Sequence, residues 1–387
     1  MELVNVVRTA WETLLGESIA VGTDGKIYVC TIPKQLTTGA TSVYLRAPSD
    51  AGFNYWNGFG AHGDEYISSA SIVVDSAGVV WGLIVGGASW WDNQGLAFEA
   101  LSSDSGSFYG PVNIDDDGSH WIRNPQIMLD SSGNKWITYE KYSNHGGYAG
   151  PVYFCKRNVD GSAAIAATLV TNTGENAIGH FSLIDNNNRL WVGWYSNTYD
   201  KFYLKIFNSD GTVYVNRFEF YTETGSTLSC LNAIVDLNGR IWIFIMAKES
   251  GDSYRYIYFK VFNSDGTEYK SLTKIPGQPD ENVVSVQPTQ DAAGKIYLLS
   301  ITNAGNYNNL YLTKMSVDYT YSYAPTLLFV ANQMSALATS WRPVVFNTDY
   351  LIFAMVYNGW ESIGVVTLQV DETLPAEVIF AKIGLLY

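Results

Sequence analysis

The chain has 387 residues, and its 23 lysines and arginines stand against 37 aspartates and glutamates, a formal net charge of −14. That charge repels a phosphate backbone, so no nucleic-acid partner is expected, and no apolar run of roughly 18 residues offers membrane insertion. Aromatic residues make up 14% of the chain and glycine numbers 35, while only 16% is charged, the balance of many short strands joined by tight turns.

Along the chain one pattern returns: a strand ending in Asp, a turn with Gly, and a strand opening on an aromatic residue. It ends at Tyr28 in VGTDGKIY, then at Trp81, Trp136, Trp191, Trp242 and Tyr297, as in MLDSSGNKW and IVDLNGRIW. A seventh copy, VFNTDYLIF ending at Phe353, has lost its glycine. The turn residues Gly25, Gly78, Gly133, Asn188, Gly239 and Gly294 are spaced by 53, 55, 55, 51 and 55 positions. Asn188 fits this series because Asn, after Gly, best tolerates positive φ.

A second landmark keeps the same phase. A strand runs into an Asp-containing hairpin at Asp50, Asp104, Asp160, Asp210, Asp265, Asp318 and Asp371, spaced by 54, 56, 50, 55, 53 and 53 residues. Each repeat therefore reads as four strands: a ends at the first Asp, b starts at the aromatic, c ends at the hairpin Asp, and d follows. One four-stranded antiparallel sheet per repeat predicts an all-β, seven-bladed β-propeller forming a single domain over 1–387. The blades are expected near 12–60, 61–116, 117–172, 173–223, 224–278, 279–332 and 333–387. Pairing of the chain termini is expected to close the ring, with 1–11 as a possible closing strand.

The c–d hairpins resemble degenerate Asp-boxes, the S-x-D-x-G-x-T-W turns of bacterial neuraminidase repeats. Ser102, Asp104, Gly106 and Phe108 carry the resemblance best, and Asp50, Gly52, Asn54 and Tyr55 carry it in part. The segments NPQIMLDSSGNKWITYEKY and RPVVFNTDYLIFAMVY are similar to the blade-opening strand of sialidase-like and polysaccharide-lyase propellers. The resemblance implies the fold, since Asp-boxes are structural turns far from the active site in that family. Sialidase activity itself is disfavoured, because Arg46, Arg123, Arg157, Arg240, Arg255 and Arg342 share no blade position.

Candidate site residues belong to the irregular face, where b–c loops differ in length and carry Trp, Tyr, Asn, Gly and His. Trp90, Trp91, Tyr142, His145, Trp194, Tyr195, Tyr199 and Trp360 are expected to bind ligand there, because sugar rings stack on aromatic faces and pair with amides and acids. Trp81, Trp136, Trp191 and Trp242 recur in phase and are expected in the core. Counting back four or five residues from each strand-a Asp position gives a ring of Glu17, Ser18, Ser71, Gln126, His180, Phe181, Asn232, Gln287 and Arg342, of which His180 and Arg342 join the ligand-binding set. The cysteines Cys30, Cys155 and Cys230 are odd in number and far apart, so buried thiols are expected. No cofactor is expected beyond a weak case for calcium near Asp115 and Asp117, whose loop lacks the D-x-D-x-D-G spacing.

The leading expectation is a non-catalytic recognition module that binds glycan or a protein surface, as an extracellular or virion-surface component. The first alternative is a polysaccharide lyase that abstracts a proton α to a uronate carboxylate. His145, Tyr142, His180, Arg123 and Arg342 could supply its base and its carboxylate partner. The second alternative is a structural scaffold.

Overall fold

The computed structural model describes residues 14–22, 26–33, 42–46, 54–57, 66–87, 95–101, 107–115, 120–143, 149–222, 231–248, 253–304, 307–332, 344–346, 350–357 and 362–369. The expected closing strand at 1–11, the tail after 369 and Cys230 lie outside them. The described residues form seven sheets, each a run of consecutive strands hydrogen-bonded in chain order. Six have four strands, spanning 14–57, 66–115, 121–169, 177–222, 231–274 and 282–332, and the seventh has three, spanning 344–369. The sheets fall into two compact units, the first four within Glu12–Tyr221 and the last three in the second. Within each unit, the first strand of one sheet packs against the first strand of the next.

The repeated Asp explains why each a–b hairpin forms where it does. In Asp75, Asp130, Asp185, Asp236 and Asp291, Oδ1 accepts the backbone N–H groups two and four residues on, at 2.8–3.0 Å. Oδ2 accepts the indole N–H of Trp81, Trp136, Trp191 and Trp242, at 2.7, 3.3, 3.0 and 2.9 Å, and the hydroxyl of Tyr297 at 3.1 Å. The Asp therefore ties the turn to the core aromatic six residues on. Asn188 takes the left-handed place of the turn glycines, at φ 59°. The c–d hairpins use their Asp differently: Asp160, Asp210, Asp265 and Asp318 each accept both the N–H and the hydroxyl of the Ser or Thr two residues on. Hydroxyl donation from Ser316 and Thr320 draws the Asp318 carboxyl down to about 2. The hairpins that best match the Asp-box spacing, at 102–106 and 50–53, lie outside the described residues.

The recurring tryptophans are buried, none more than 1% exposed. Each removes roughly 150–250 Å² from water, worth about 4–6 kcal/mol before chain entropy is counted. Two of them belong to cores shared between sheets: Trp81 and Phe98 meet Ile122, Ile127 and Tyr139 of the next sheet, and Trp136 and Phe154 meet Leu190 and Phe207 of the one after. Cys30 and Cys155 are buried thiols, and burial pushes Cys155 up to about 12.

Strand-on-strand approach leaves no room at Gly193. A Cβ there would lie 2.1 Å from Cε1 of Phe181, its cross-strand partner. Gly193→Ala is expected to destabilise the chain by about 1–3 kcal/mol through overpacking. A thermal melt identical to that of the parent would show that Phe181 swings aside freely.

Candidate functional site

The third and fourth sheets build a buried polar cluster from residues far apart in sequence. Strand a of the third sheet, Trp121–Leu129, pairs with strand b, Lys135–Tyr142, but the register slips between Thr138 and Glu140. Thr138 faces Gln126 and Glu140 faces Arg123, so Asn124 and Pro125 together form a bulge opposite Tyr139. Pro125 has no N–H to give the ladder, and Asn124 sits at φ 50°. A slip recurs in strand a of the second, fourth and sixth sheets. In the third sheet it re-aims Arg123 and Asn124.

Strand alternation places Trp136, Thr138, Glu140 and Tyr142 on one face. There they meet strand a of the fourth sheet, Ala177–Ile184. Glu140 is the hub, and its side chain is 0% exposed. Its Oε1 accepts Nδ1 of His180 at 2.8 Å, and Oε2 accepts Nδ2 of Asn124 at 3.0 Å and the Tyr142 hydroxyl. His180 Nε2 lies 3.0 Å from the Thr138 hydroxyl oxygen. Ser182 continues the chain, 2.8 Å from Thr138 Oγ1 and 2.7 Å from Gln126 Oε1. The guanidinium of Arg123 lies 5.1 Å from the centre of the Tyr142 ring. Burial raises the Tyr142 hydroxyl well above its ordinary range, the charge and hydrogen bond of Glu140 add to this, and Arg123 opposes it. The phenol thus stays protonated at neutral pH, with its proton aimed at a carboxylate.

The other expected site residues fall in several places. Trp194 is fully buried, donates its indole N–H to Glu175 Oε1 at 3.0 Å and packs on Tyr203. Tyr195 is 4% exposed and donates to Asp200 at 2.9 Å. These two support a loop instead of presenting a free face, whereas Tyr199 is 49% exposed. Asp115 has its oxygens occupied by the Tyr139 hydroxyl at 2.6 Å and Lys141 Nζ at 2.7 Å. Among the residues counted back from the strand-a Asp positions, Gln126 donates to the His180 carbonyl at 2.9 Å, and Asn232 donates to Gln287 Oε1 at 2.7 Å, so these amides tie neighbouring first strands together. Trp90, Trp91, Asp117, His145, Arg342 and Trp360 lie outside the described residues.

Sequence reasoning missed Glu140, although phase could have found it. Ten residues after their strand-a Asp, the other copies carry Val85, Tyr195, Met246 and Ile301, all buried. A carboxylate in that series needs partners. Glu175 and Glu281 were missed too: each lies ten residues before its Asp. Glu175 accepts from Trp194 and Arg217, and Glu281 accepts from Asn309 and Thr302.

No family model matches the chain, and no curated protein matches it. Solved structures do. An ulvan lyase, described as a new family of polysaccharide lyase and bound to a GlcA–Rha3S unit, superposes with TM-score 0.58 at 10% identity, covering 95% of this chain and 96% of its own. An α-L-arabinofuranosidase from Fusarium graminearum gives TM-score 0.55 at 8% identity, covering 95% and 98%. A protein of unknown function from Dyadobacter fermentans gives 0.55 at 11% identity, covering 96% and 98%. At these identities the likeness establishes the fold: an all-β propeller of four-stranded antiparallel sheets.

Proposed function

We propose that the chain is a glycan-cleaving enzyme, a lyase acting on a uronate-containing polysaccharide. The observation that carries this reading is the convergence of Tyr142 and His180 on Glu140, with the Arg123 guanidinium over the Tyr142 ring. In this reading Arg123 pairs with the uronate carboxylate, which makes the α-proton more acidic and stabilises the enolate. Tyr142 oxygen takes that proton while its own passes to Glu140 Oε2, so no free phenolate forms. The same proton then returns through Tyr142 to the departing glycosidic oxygen as the C–O bond breaks and the new C=C bond forms. His180 and Asn124 are positioning residues that hold Glu140. The ulvan lyase and the arabinofuranosidase supply support by analogy of fold.

The test is incubation of the full chain with a panel of uronate polysaccharides. A product with the ultraviolet absorbance of an unsaturated uronate is expected. Reducing ends without that absorbance would mean hydrolysis and overturn the elimination. A second reading, the non-catalytic glycan module, is favoured by the burial of Tyr142, 3% exposed, and of His180, whose side chain is fully enclosed. Binding without any product would establish it in place of the lyase.

A further inference from the structure

On the fourth sheet a second group of aromatic and charged side chains stands apart from the Glu140 cluster. Tyr199 lies in the b–c connection between the strands Leu190–Ser196 and Lys201–Phe207. It is half exposed, yet its ring is fixed edge-on against Tyr203, with centroids 6.3 Å apart. Arg217, on strand d, Val213–Thr222, stacks its guanidinium 4.1 Å from the Tyr203 ring centre and 5.5 Å from that of Tyr199. One guanidinium nitrogen, Nη1, is held by Glu175 Oε2 at 2.5 Å, and Glu175 is itself fully buried. Trp194 and the backbone N–H of Asn172 fix that carboxylate from behind, at 3.0 and 3.1 Å.

The remaining guanidinium N–H groups make no hydrogen bond among the described residues, and the Arg217 side chain is 22% exposed. A planar donor set is therefore oriented by a buried anchor beside an aromatic face that water reaches. The exposed ion pair Lys201–Glu219, at 2.6 Å, lies on the same sheet and adds polar groups. An apolar peptide would need an apolar pocket, which a single tyrosine among charged groups does not offer. A pyranose ring has the matching chemistry, with C–H groups for the tyrosine face, and a carboxylate on the sugar would accept the remaining guanidinium N–H groups.

We propose that Tyr199 and Arg217 form a separate, non-catalytic binding platform for an acidic sugar, with Tyr199 as the stacking surface and Arg217 as the carboxylate partner. The platform is independent of whether the Tyr142 site cleaves anything. It is tested in the full chain carrying Arg123→Ala and Tyr142→Phe, which disables the proposed cleavage site and its carboxylate partner. Short galacturonate oligosaccharides and their neutral galactose counterparts are the probes, and the readout is calorimetric affinity. Tyr199→Ala is expected to weaken galacturonate binding about tenfold, and Tyr199→Phe to keep it. Arg217→Gln is expected to weaken the acidic probe and leave any binding of the neutral one unchanged. Tyr199 is exposed, so its variants remain informative where Arg217→Gln, which strips Glu175 of a partner, lowers stability. Equal affinity in the Tyr199→Ala variant and its parent, or no galacturonate binding in that parent, would overturn the platform. Neither result bears on product formation by the unmodified chain, which reads the cleavage proposal separately.

Discussion

Tyr142→Phe is expected to lower kcat on a uronate polysaccharide by roughly 10²–10⁴-fold, about 3–5 kcal/mol of transition-state stabilisation, with little change in KM. The substitution removes one oxygen and keeps the ring, so Arg123 retains its aromatic partner at 5.1 Å. Glu140 keeps Asn124 and His180 as donors, so the cluster remains satisfied on both carboxylate oxygens. What is lost is the only atom through which Glu140 reaches the sugar in the proposed relay. Steady-state kinetics with a thermal melt on the same sample separate the two effects. A variant that melts like the parent and retains its kcat would remove Tyr142 from the chemistry. The Glu140→Gln substitution offers a cross-check, because an amide cannot take the phenolic proton and the rate should fall with Tyr142 still in place.

Much of the fold was legible because its repeated parts solve one local problem in one way. The Asp that accepts two turn amides and an indole N–H must lie six residues from its aromatic partner, so spacing alone exposes it. Asn188 at φ 59° obeys the same geometry and could be placed without a structure. The site was legible only in part, for the opposite reason. Tyr142 and Arg123 were marked by residue type and His180 by repeat phase, but Glu140, which joins Tyr142 to His180, lies within the apparently ordinary strand KWITYEKY. Its meaning depends on the bulge at Asn124 and Pro125 and on a strand some 40 residues away, and neither is a feature of local composition. Trp194 and Tyr195 illustrate the converse. Their loop-edge positions suggested ligand contact, yet Trp194 gives its indole N–H to the buried Glu175 and Tyr195 gives its hydroxyl to Asp200. Tyr199, just beyond the strand end, stays exposed.

Asp185→Ala is expected to cost about 3–5 kcal/mol, measured by urea or thermal unfolding. The Asp185 side chain is 0% exposed and holds four donors: the backbone N–H groups of Asn187 and Arg189, the Trp191 indole at 3.0 Å and the Arg189 side chain at 2.8 Å. Alanine leaves all four without that acceptor at a position closed to water, and Arg189 keeps its charge beside the Tyr214 ring, 4.4 Å away. Asp185→Asn separates shape from charge. Its oxygen can still take the two amides, but its NH₂ then faces the Arg189 and Trp191 donors, so a loss of about 1–3 kcal/mol is expected. Asp210 provides the contrast within the same sheet. It accepts the N–H and hydroxyl of Thr212 at 2.9 and 2.6 Å on an exposed hairpin, where water replaces the carboxylate. Asp210→Ala should therefore leave the unfolding midpoint nearly unchanged. Asp185 and Asp210 are both repeat-phase aspartates, so the larger losses expected at Asp185 follow from its burial. Equal losses at Asp185 and Asp210 would mean that turn geometry, and not the interior tether to Trp191, sets the stability of each sheet.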